Sequence, residues 1–429
     1  MNDTEIEVPE GLERMDGASV EAEDALLDTT DSFEAAVAGL QERLDAARGG
    51  AQGSDDRACV RAAQRSHEDV ADLDTPALSR YQRRAALEEA AGDVAAAFET
   101  GIGADARAYL GFLAGSTITL APGAGEAGAA TVRVEGATGG AAAASIDVVA
   151  APGSTLDLAI SLNAENEGTA ATDGRASADD GTAAAEPTRA CGLIGSALRV
   201  FAGASARVNV TVYITADSAF TVLDDAGYVL DEGARVTVRH VVLGGAHTYT
   251  GLAADLRGDT ARMDIDTRYL ASGSESRDFN YVIRQRGRRT ISNMDANGVL
   301  TGNAKKVLRG TIDLVHGCKG SEGAENETVL LASRGVDNKT VPVILCDEDD
   351  VAGNHGATIG HVRPEQLFYL GCRGLSEEAA EALFTAAKLE DAALSAPDAE
   401  MRENVLRLGR ALIDGFCDIE DEDFEEDAA

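Results

Sequence analysis

Apolar and polar residues alternate in short runs through the middle of this chain. Thr117-Ile118-Thr119-Leu120, Thr131-Val132-Arg133-Val134, Ser145-Ile146-Asp147-Val148 and Thr155-Leu156-Asp157-Leu158 have a period of two and are separated by Gly-rich turns, the pattern of short strands. From Leu198 the strands resume as a repeat. Ala206-Arg207-Val208-Asn209-Val210, Ala234-Arg235-Val236-Thr237-Val238 and Ala261-Arg262-Met263-Asp264-Ile265 follow one template and start 28 and then 27 residues apart. A fixed period of this size, with short strands in each unit, predicts a solenoid whose coils bury one face against the next. The expected core is therefore a parallel β-helix over 115–360. A β-sandwich is the competing architecture. It would show tight hairpin turns between neighbouring strands, and Asn297-Gly298 is the one such signal in this region.

The pattern switches to helical spacing at both flanks. Leu26, Leu27, Phe33, Val37 and Leu40 recur at helix-like intervals, and Arg48-Gly49-Gly50 reads as a helix end. Thr75-Pro76 reads as the start of another segment, with Leu78, Tyr81, Leu87, Ala90 and Val94 on one face. Residues 1–114 are thus expected to be mostly helical. Downstream, Pro364 opens a segment running to Leu370 that Gly374 stops. Ser376 caps a longer helix with Leu383, Phe384, Ala387 and Leu394 as its stripe, and Met401, Val405, Leu408 and Leu412 mark another over 398–416. The expected organisation is an N-terminal helical region (1–114), the β-helix core (115–360), a C-terminal helical region (361–417) and an acidic tail (418–429). Residues 163–189, almost all Ala, Gly, Asp, Thr and Glu, read as a flexible surface insertion in the core.

Composition sharpens this picture. Hydrophobic residues make up 44% of the chain but aromatics only 4%, with no Trp, so the core must be built from Val, Leu, Ile and Ala, which suits stacked coils. Acids outnumber bases 74 to 37, giving a formal charge of −37, which argues against nucleic acid and anionic lipid as partners. Only five of the bases are lysines. A salt-rich habitat or a GC-rich genome would each produce this excess, and neither states a function. No apolar run is long enough to span a membrane, and the opening Met-Asn-Asp-Thr-Glu has no secretory pattern. Six scattered cysteines form no disulfide framework, so a cytoplasmic protein with reduced thiols is expected. No lysine follows a glycine anywhere, so there is no P-loop and no ATP is expected to bind this chain.

The most informative stretch runs from Leu308-Arg309-Gly310-Thr311 through Val341-Pro342-Val343-Ile344-Leu345-Cys346 to His355-Gly356-Ala357-Thr358-Ile359-Gly360, then Leu367-Phe368-Tyr369-Leu370 and Arg373-Gly374. In combination these residues resemble the SufB/SufD family of iron–sulfur cluster assembly scaffolds, over roughly 190–390. The resemblance implies a right-handed parallel β-helix flanked by helical regions. It also implies pairing of SufB-like and SufD-like subunits through their β-helices, an ABC ATPase (SufC) docked on the helices after the β-helix, and a transient iron–sulfur cluster at the subunit interface. The SufB type carries a cysteine near 326–331 and a Glu after the histidine. Here Glu325-Asn326-Glu327-Thr328 has no Cys and Gly356 follows His355, so the nearest branch is SufD. Some SufD proteins have Cys two residues before the histidine, where this chain has Gly353.

His355 is the leading candidate ligand for iron or a cluster at a dimer interface, because a neutral imidazole binds iron well; the alternative is a structural histidine closing the last coil. Cys346 is a second cofactor-binding candidate, although a lone Cys on a strand is more often a small buried hydrophobe. His316 and Cys318 form a weak His-x-Cys pair. Glu348, Asp349 and Asp350 read better as a solvated turn than as an iron trap, and Arg284, Arg286, Arg288 and Arg289 better as charge balance than as a nucleic-acid site. Leu367, Phe368, Tyr369, Arg373, Leu383 and Phe384 are the expected partner-binding residues. The resulting expectation is a non-ATPase, non-enzymatic scaffold subunit working with SufC-like and SufB-like partners. A single scaffold forming a homodimer with SufC is the alternative, and a β-solenoid carbohydrate-active protein a more distant one.

Overall fold

The computed structural model describes residues 12–22, 98–166, 192–413 and 416. Two nine-stranded sheets face each other, and each turn of chain contributes one strand to each. One sheet runs β1 (Glu13–Arg14), β5 (Gly140–Ala150), β7 (Gly192–Ala202), β9 (Phe220–Leu230), β11 (His247–Leu256), β13 (Ser276–Gln285), β15 (Lys305–Leu314) and β17 (Asp337–Cys346), with β3 (Thr117–Leu120) also on β5. The other runs β2 (Ala18–Ala22), β4 (Ala127–Ala137), β6 (Thr155–Glu165), β8 (Arg207–Ile214), β10 (Arg235–Val242), β12 (Arg262–Ala271), β14 (Ile291–Leu300), β16 (Ser321–Leu331) and β18 (Val351–His361). Every pairing is parallel except β2 with β4. This is a parallel β-solenoid, and the repeat read from sequence stacks in register: Arg207, Arg235 and Arg262 are direct neighbours. Asn297 and Gly298 lie inside β14 and make no hairpin.

Alternation explains the stacking. Val208, Val210 and Val212 of β8 lie beside Val236, Val238 and His240 of β10 and point into one continuous core of Val, Leu, Ile and Ala. The turn leading into the second sheet needs a left-handed residue once per coil. Gly153, Ser205, Gly233, Thr260, Arg289 and Gly320 occupy it at positive φ, each N–H reaching a carbonyl of the next turn.

Among the described residues, four helices cover the outer faces or follow the last coil. Leu110 and Leu113 of α1 (Ala104–Ala114) pack on Ala141, Ala143 and Leu193 of the first sheet. After β18 come α2 (Pro364–Gly371), α3 (Glu377–Leu394) and α4 (Ala399–Leu412). Leu389, Ala392, Met401 and Val405 of α3 and α4 pack on Tyr213, Val241, Leu270 and Val299 of the second sheet. Ser376 and Asp398 cap α3 and α4 through Ala379 and Met401 N–H. Arg133 and Arg407 bridge α4 to the solenoid through Asp398 and Asp217.

Residues 1–114, expected to be mostly helical, also contain two short strands. Glu13–Arg14 and Ala18–Ala22 are strands, drawn into sheet geometry because the first coil offers them unpaired backbone. The helices expected around Leu26–Leu40 and Leu78–Val94 lie outside the described residues, as do most of the 163–189 insertion and the 418–429 tail.

The interior is not wholly apolar. Midway along, Asp224 and His240 are both buried, with Nε2 and Oδ2 3.6 Å apart. Ser196 donates to Asp224 at 2.7 Å, and His240 Nδ1 bonds Tyr281 OH at 2.9 Å, which in turn lies 3.0 Å from Thr267. Burial raises the Asp224 pKa to about 7, and burial lowers that of His240 to about 4. A neutral acid beside a neutral imidazole is the state the core holds.

Candidate functional site

The two ends of the solenoid differ. At the first coil β2 lies antiparallel over β4 and β1 beside β5. At the last coil β17 and β18 each have a neighbour on one side only among the described residues, and β18 is exposed from Ala352 to His361. Val341, Leu345 and Ile359 are large apolar side chains left exposed there.

His355 lies on this open end. It is the register partner of Glu325, whose side chain points inward, so His355 occupies the inward row of the last coil. Cys346 is inward-facing too, as the register partner of buried Leu314, and its Sγ donates to Glu348 O at 3.3 Å. The two are not brought together. Ile344 faces Gly353 across the core, so Cys346 and His355 lie two residues from that point in opposite directions, about 13 Å apart at the usual strand rise. Among the described residues no three His, Cys, Asp or Glu side chains converge as metal ligands.

The remaining candidates separate. His316 and Cys318 fall in the turn after β15, His316 in solvent and Cys318 buried in the core, so the turn breaks the alternation that would have aligned them. Glu348 accepts N–H bonds from Gly317 (2.9 Å) and Asp349 (3.1 Å), which hold its carboxyl below the usual range, and it organises a turn. Arg284 pairs with Asp313 and Glu99, and Arg286 with Asp255. Cys372 is exposed at the end of α2. Cys59, Cys191 and Cys417 lie outside the described residues.

Beyond β18, α2 presents Phe368 (74% exposed) and Tyr369 (54%), with the Arg373 guanidinium 3.8 Å over the Tyr369 ring. Leu383 of α3 is also exposed, whereas Leu367 is half-buried. Phe384 turns the other way and packs against the chain's own α3–α4 cluster.

Sequence reasoning missed the carboxylates beneath His355. Glu327 is fully buried and satisfied: Lys306, Tyr269 and Thr340 all donate to it. Glu325, on the same inward row, has both oxygens buried with no hydrogen-bond partner. Burial raises its pKa, Glu327 adds to the rise, and His355 and Lys306 oppose it. The signal was the alternation itself, since Gly323, Glu325, Glu327 and Val329 share one phase.

A parallel β-solenoid with one open end and helices laid back along its side defines the class. A family model described as "SUF system FeS cluster assembly, SufBD core domain" matches residues 169–388, about half of the chain. The chain belongs to this family. It is 31% identical over 129 residues to "Iron-sulfur cluster assembly protein SufD" of Bacillus subtilis, 30% of each chain, and 24% identical over 188 residues to the Escherichia coli protein of that name, 44% of each. It is also 28% identical over 157 residues to an "Iron-sulfur cluster assembly SufBD family protein" of Mycobacterium tuberculosis, 37% of this chain and 18% of the relative. The matched segments span less than half of each relative. Among the described residues no helix is long and apolar enough to cross a membrane.

Proposed function

We propose that this chain is a SufD-like scaffold subunit of a Suf-type iron–sulfur assembly complex, without ATPase activity of its own. The observation that carries this is the open last coil, which bears unpaired strand edges, the exposed Val341, Leu345 and Ile359, and His355. A SufB-like subunit would pair with that end and bring its own ligands toward His355. Among the described residues no three donors converge on this side, so a transient cluster, the cargo of the assembly, would be shared between subunits. Cys346 contributes at a distance from His355 or not at all. Phe368, Tyr369, Arg373 and Leu383, with Leu367 behind them, form the face offered to a SufC-like ATPase. Phe384 supports that face from within. Self-pairing of the same end would give the homodimer version. Where such complexes operate, the cytoplasm is the compartment this reading expects.

Co-purification of the full chain with SufB-like and SufC-like partners tests this. A three-component complex is expected, lost to SufB on Ile359→Glu and to SufC on Phe368→Asp/Tyr369→Asp. Partners that bind each other while excluding this chain would overturn it. A complex of this chain with SufC alone, at two copies each, would favour the homodimer.

A further inference from the structure

We propose that Cys318 and Cys346 form a reversible dithiol–disulfide pair, in which exposed Cys346 meets a small-molecule oxidant and enclosed Cys318 completes the bond. The two belong to consecutive coils at one corner of the solenoid. Cys346 ends β17, directly over Leu314 at the end of β15, and Cys318 lies in the turn that follows Leu314. That turn folds back on itself, with Cys318 N–H donating to Val315 O at 3.1 Å. Glu348 ties both residues to one spot. Its carbonyl accepts from Cys346 Sγ at 3.3 Å, and its carboxylate accepts at 2.9 Å from the N–H of Gly317, the residue before Cys318. Cys346 occupies the inward row and Cys318 sits in the core, so both side chains turn to the same interior corner. Neighbouring strands stack about 4.8 Å apart, within the roughly 4.4–6.8 Å between Cα atoms that a disulfide spans.

Access separates the two roles. Cys346 is exposed, whereas Cys318 is fully buried and closed to reagents in solution. Burial raises the Cys318 pKa against the Ser321 hydrogen bond, and Glu348 and Cys346 add to the rise, so the two thiols feel each other's charge. Asp347, Asp349 and Asp350 are exposed beside Cys346, with Lys319 and His316 on the turn beneath, and this acidic rim favours a cationic oxidant. With a small disulfide RSSR, Cys346 loses its proton and attacks one sulfur; the S–S bond of RSSR breaks and the first RS⁻ leaves, taking up a proton. Cys318 then loses its proton and attacks the Cys346 sulfur of the mixed disulfide, expelling the second RS⁻, which is protonated in turn. Two protein thiols give up two electrons and RSSR becomes two RSH. The bond fastens the end of β17 to the coil beneath it. On the scaffold reading above, a partner seated on the last coil would shelter Cys346, so the unpartnered chain is the form that oxidises. The chemistry itself belongs to this chain alone.

Treating the reduced full chain with cystamine, a cationic disulfide, tests the pair. The product is alkylated in denaturant, digested with trypsin and read by mass spectrometry. A covalent link between the peptides holding Cys318 and Cys346 is expected in the folded wild type, and excess dithiothreitol should reverse it. Cys346→Ala should abolish the link. Cys318→Ala should stop the reaction at the mixed disulfide, with one cysteamine held on Cys346. Circular dichroism checks the fold of both variants, and the wild-type link is read without either. Absence of the link in the folded chain, or its appearance only in urea, overturns the proposal. A chain that forms the link yet binds no SufB-like partner sinks the scaffold reading instead and leaves the pair standing.

Discussion

Replacing Asp224 by Asn should make the stability of this protein acid-sensitive in a way the wild type is not. In the folded chain Asp224 holds its proton up to about pH 7, against 3.8 as the ordinary value, and His240 stays neutral down to about 4, against 6.5. The raised Asp224 pKa contributes stability that is fully present below 3.8 and is lost as pH rises through 7. The lowered His240 pKa contributes stability that is present above 6.5 and is lost as pH falls through 4. Between those limits the pair carries one proton when folded and one when unfolded, so the two slopes cancel. Asp224→Asn removes one arm. Relative to wild type, the variant should lose about 3 kcal/mol between pH 6.5 and pH 4, from about 2.5 units at 1.36 kcal/mol each. His240→Gln leaves Asp224 alone and should lose a similar amount, about 4 kcal/mol, in the opposite direction, between pH 4 and pH 7. Urea unfolding followed by far-UV circular dichroism at half-unit pH steps gives both differences, and subtraction from wild type removes the background of the other 73 acids in a chain holding 74. Variant curves parallel to wild type from pH 4 to 7 would refute the reasoning, because they would mean that the pair titrates as it does in water.

Three further outcomes follow from packing. Lys306→Met strands Glu327 in the core and should cost about 3–5 kcal/mol in urea unfolding, most of it recovered in Lys306→Met/Glu327→Leu; a double variant as weak as the single one would contradict this. Thr260 is an exposed β-branched residue at φ 61°, so Thr260→Gly should stabilise by about 1 kcal/mol, a rise of about 1–2 °C in the thermal midpoint, and a lower midpoint would count against strain there. Asp398→Ala removes both the α4 cap and the Arg133 contact and should cost about 1–2 kcal/mol, with hydrogen exchange accelerating first in α4; exchange unchanged there would show the cap to be idle.

Much of the solenoid was legible because its determinants are local and repeated. The Ala-Arg-apolar-polar-apolar template fixes both strand phase and coil length, and Ser376 and Gly374 mark helix boundaries in the expected way. What lay beyond reach depends on contacts between distant segments. The strands at Glu13–Arg14 and Ala18–Ala22 have no strong strand pattern of their own and exist because β4 and β5 offer edges. Phe384 and Leu383 look equivalent in sequence, and only the packing of α3 on α4 and the second sheet tells them apart. His316 and Cys318 alternate as a strand would, but the chain has already left β15 at Leu314. Glu325 was visible as a residue, yet its isolation shows only when Lys306, Tyr269 and Thr340 are seen to choose Glu327.

The unequal ends of the solenoid set a limit on growth. A stack of parallel coils open at both ends could add subunits head to tail without stopping, as fibres do. Here the antiparallel β2 blocks one end with a strand running the wrong way for another coil to continue. Among the described residues, the face with β17 and β18 is the one that ends on strands running with the coils, and two such faces would exhaust each other if they met. An assembly built on this contact therefore closes at a pair of solenoids.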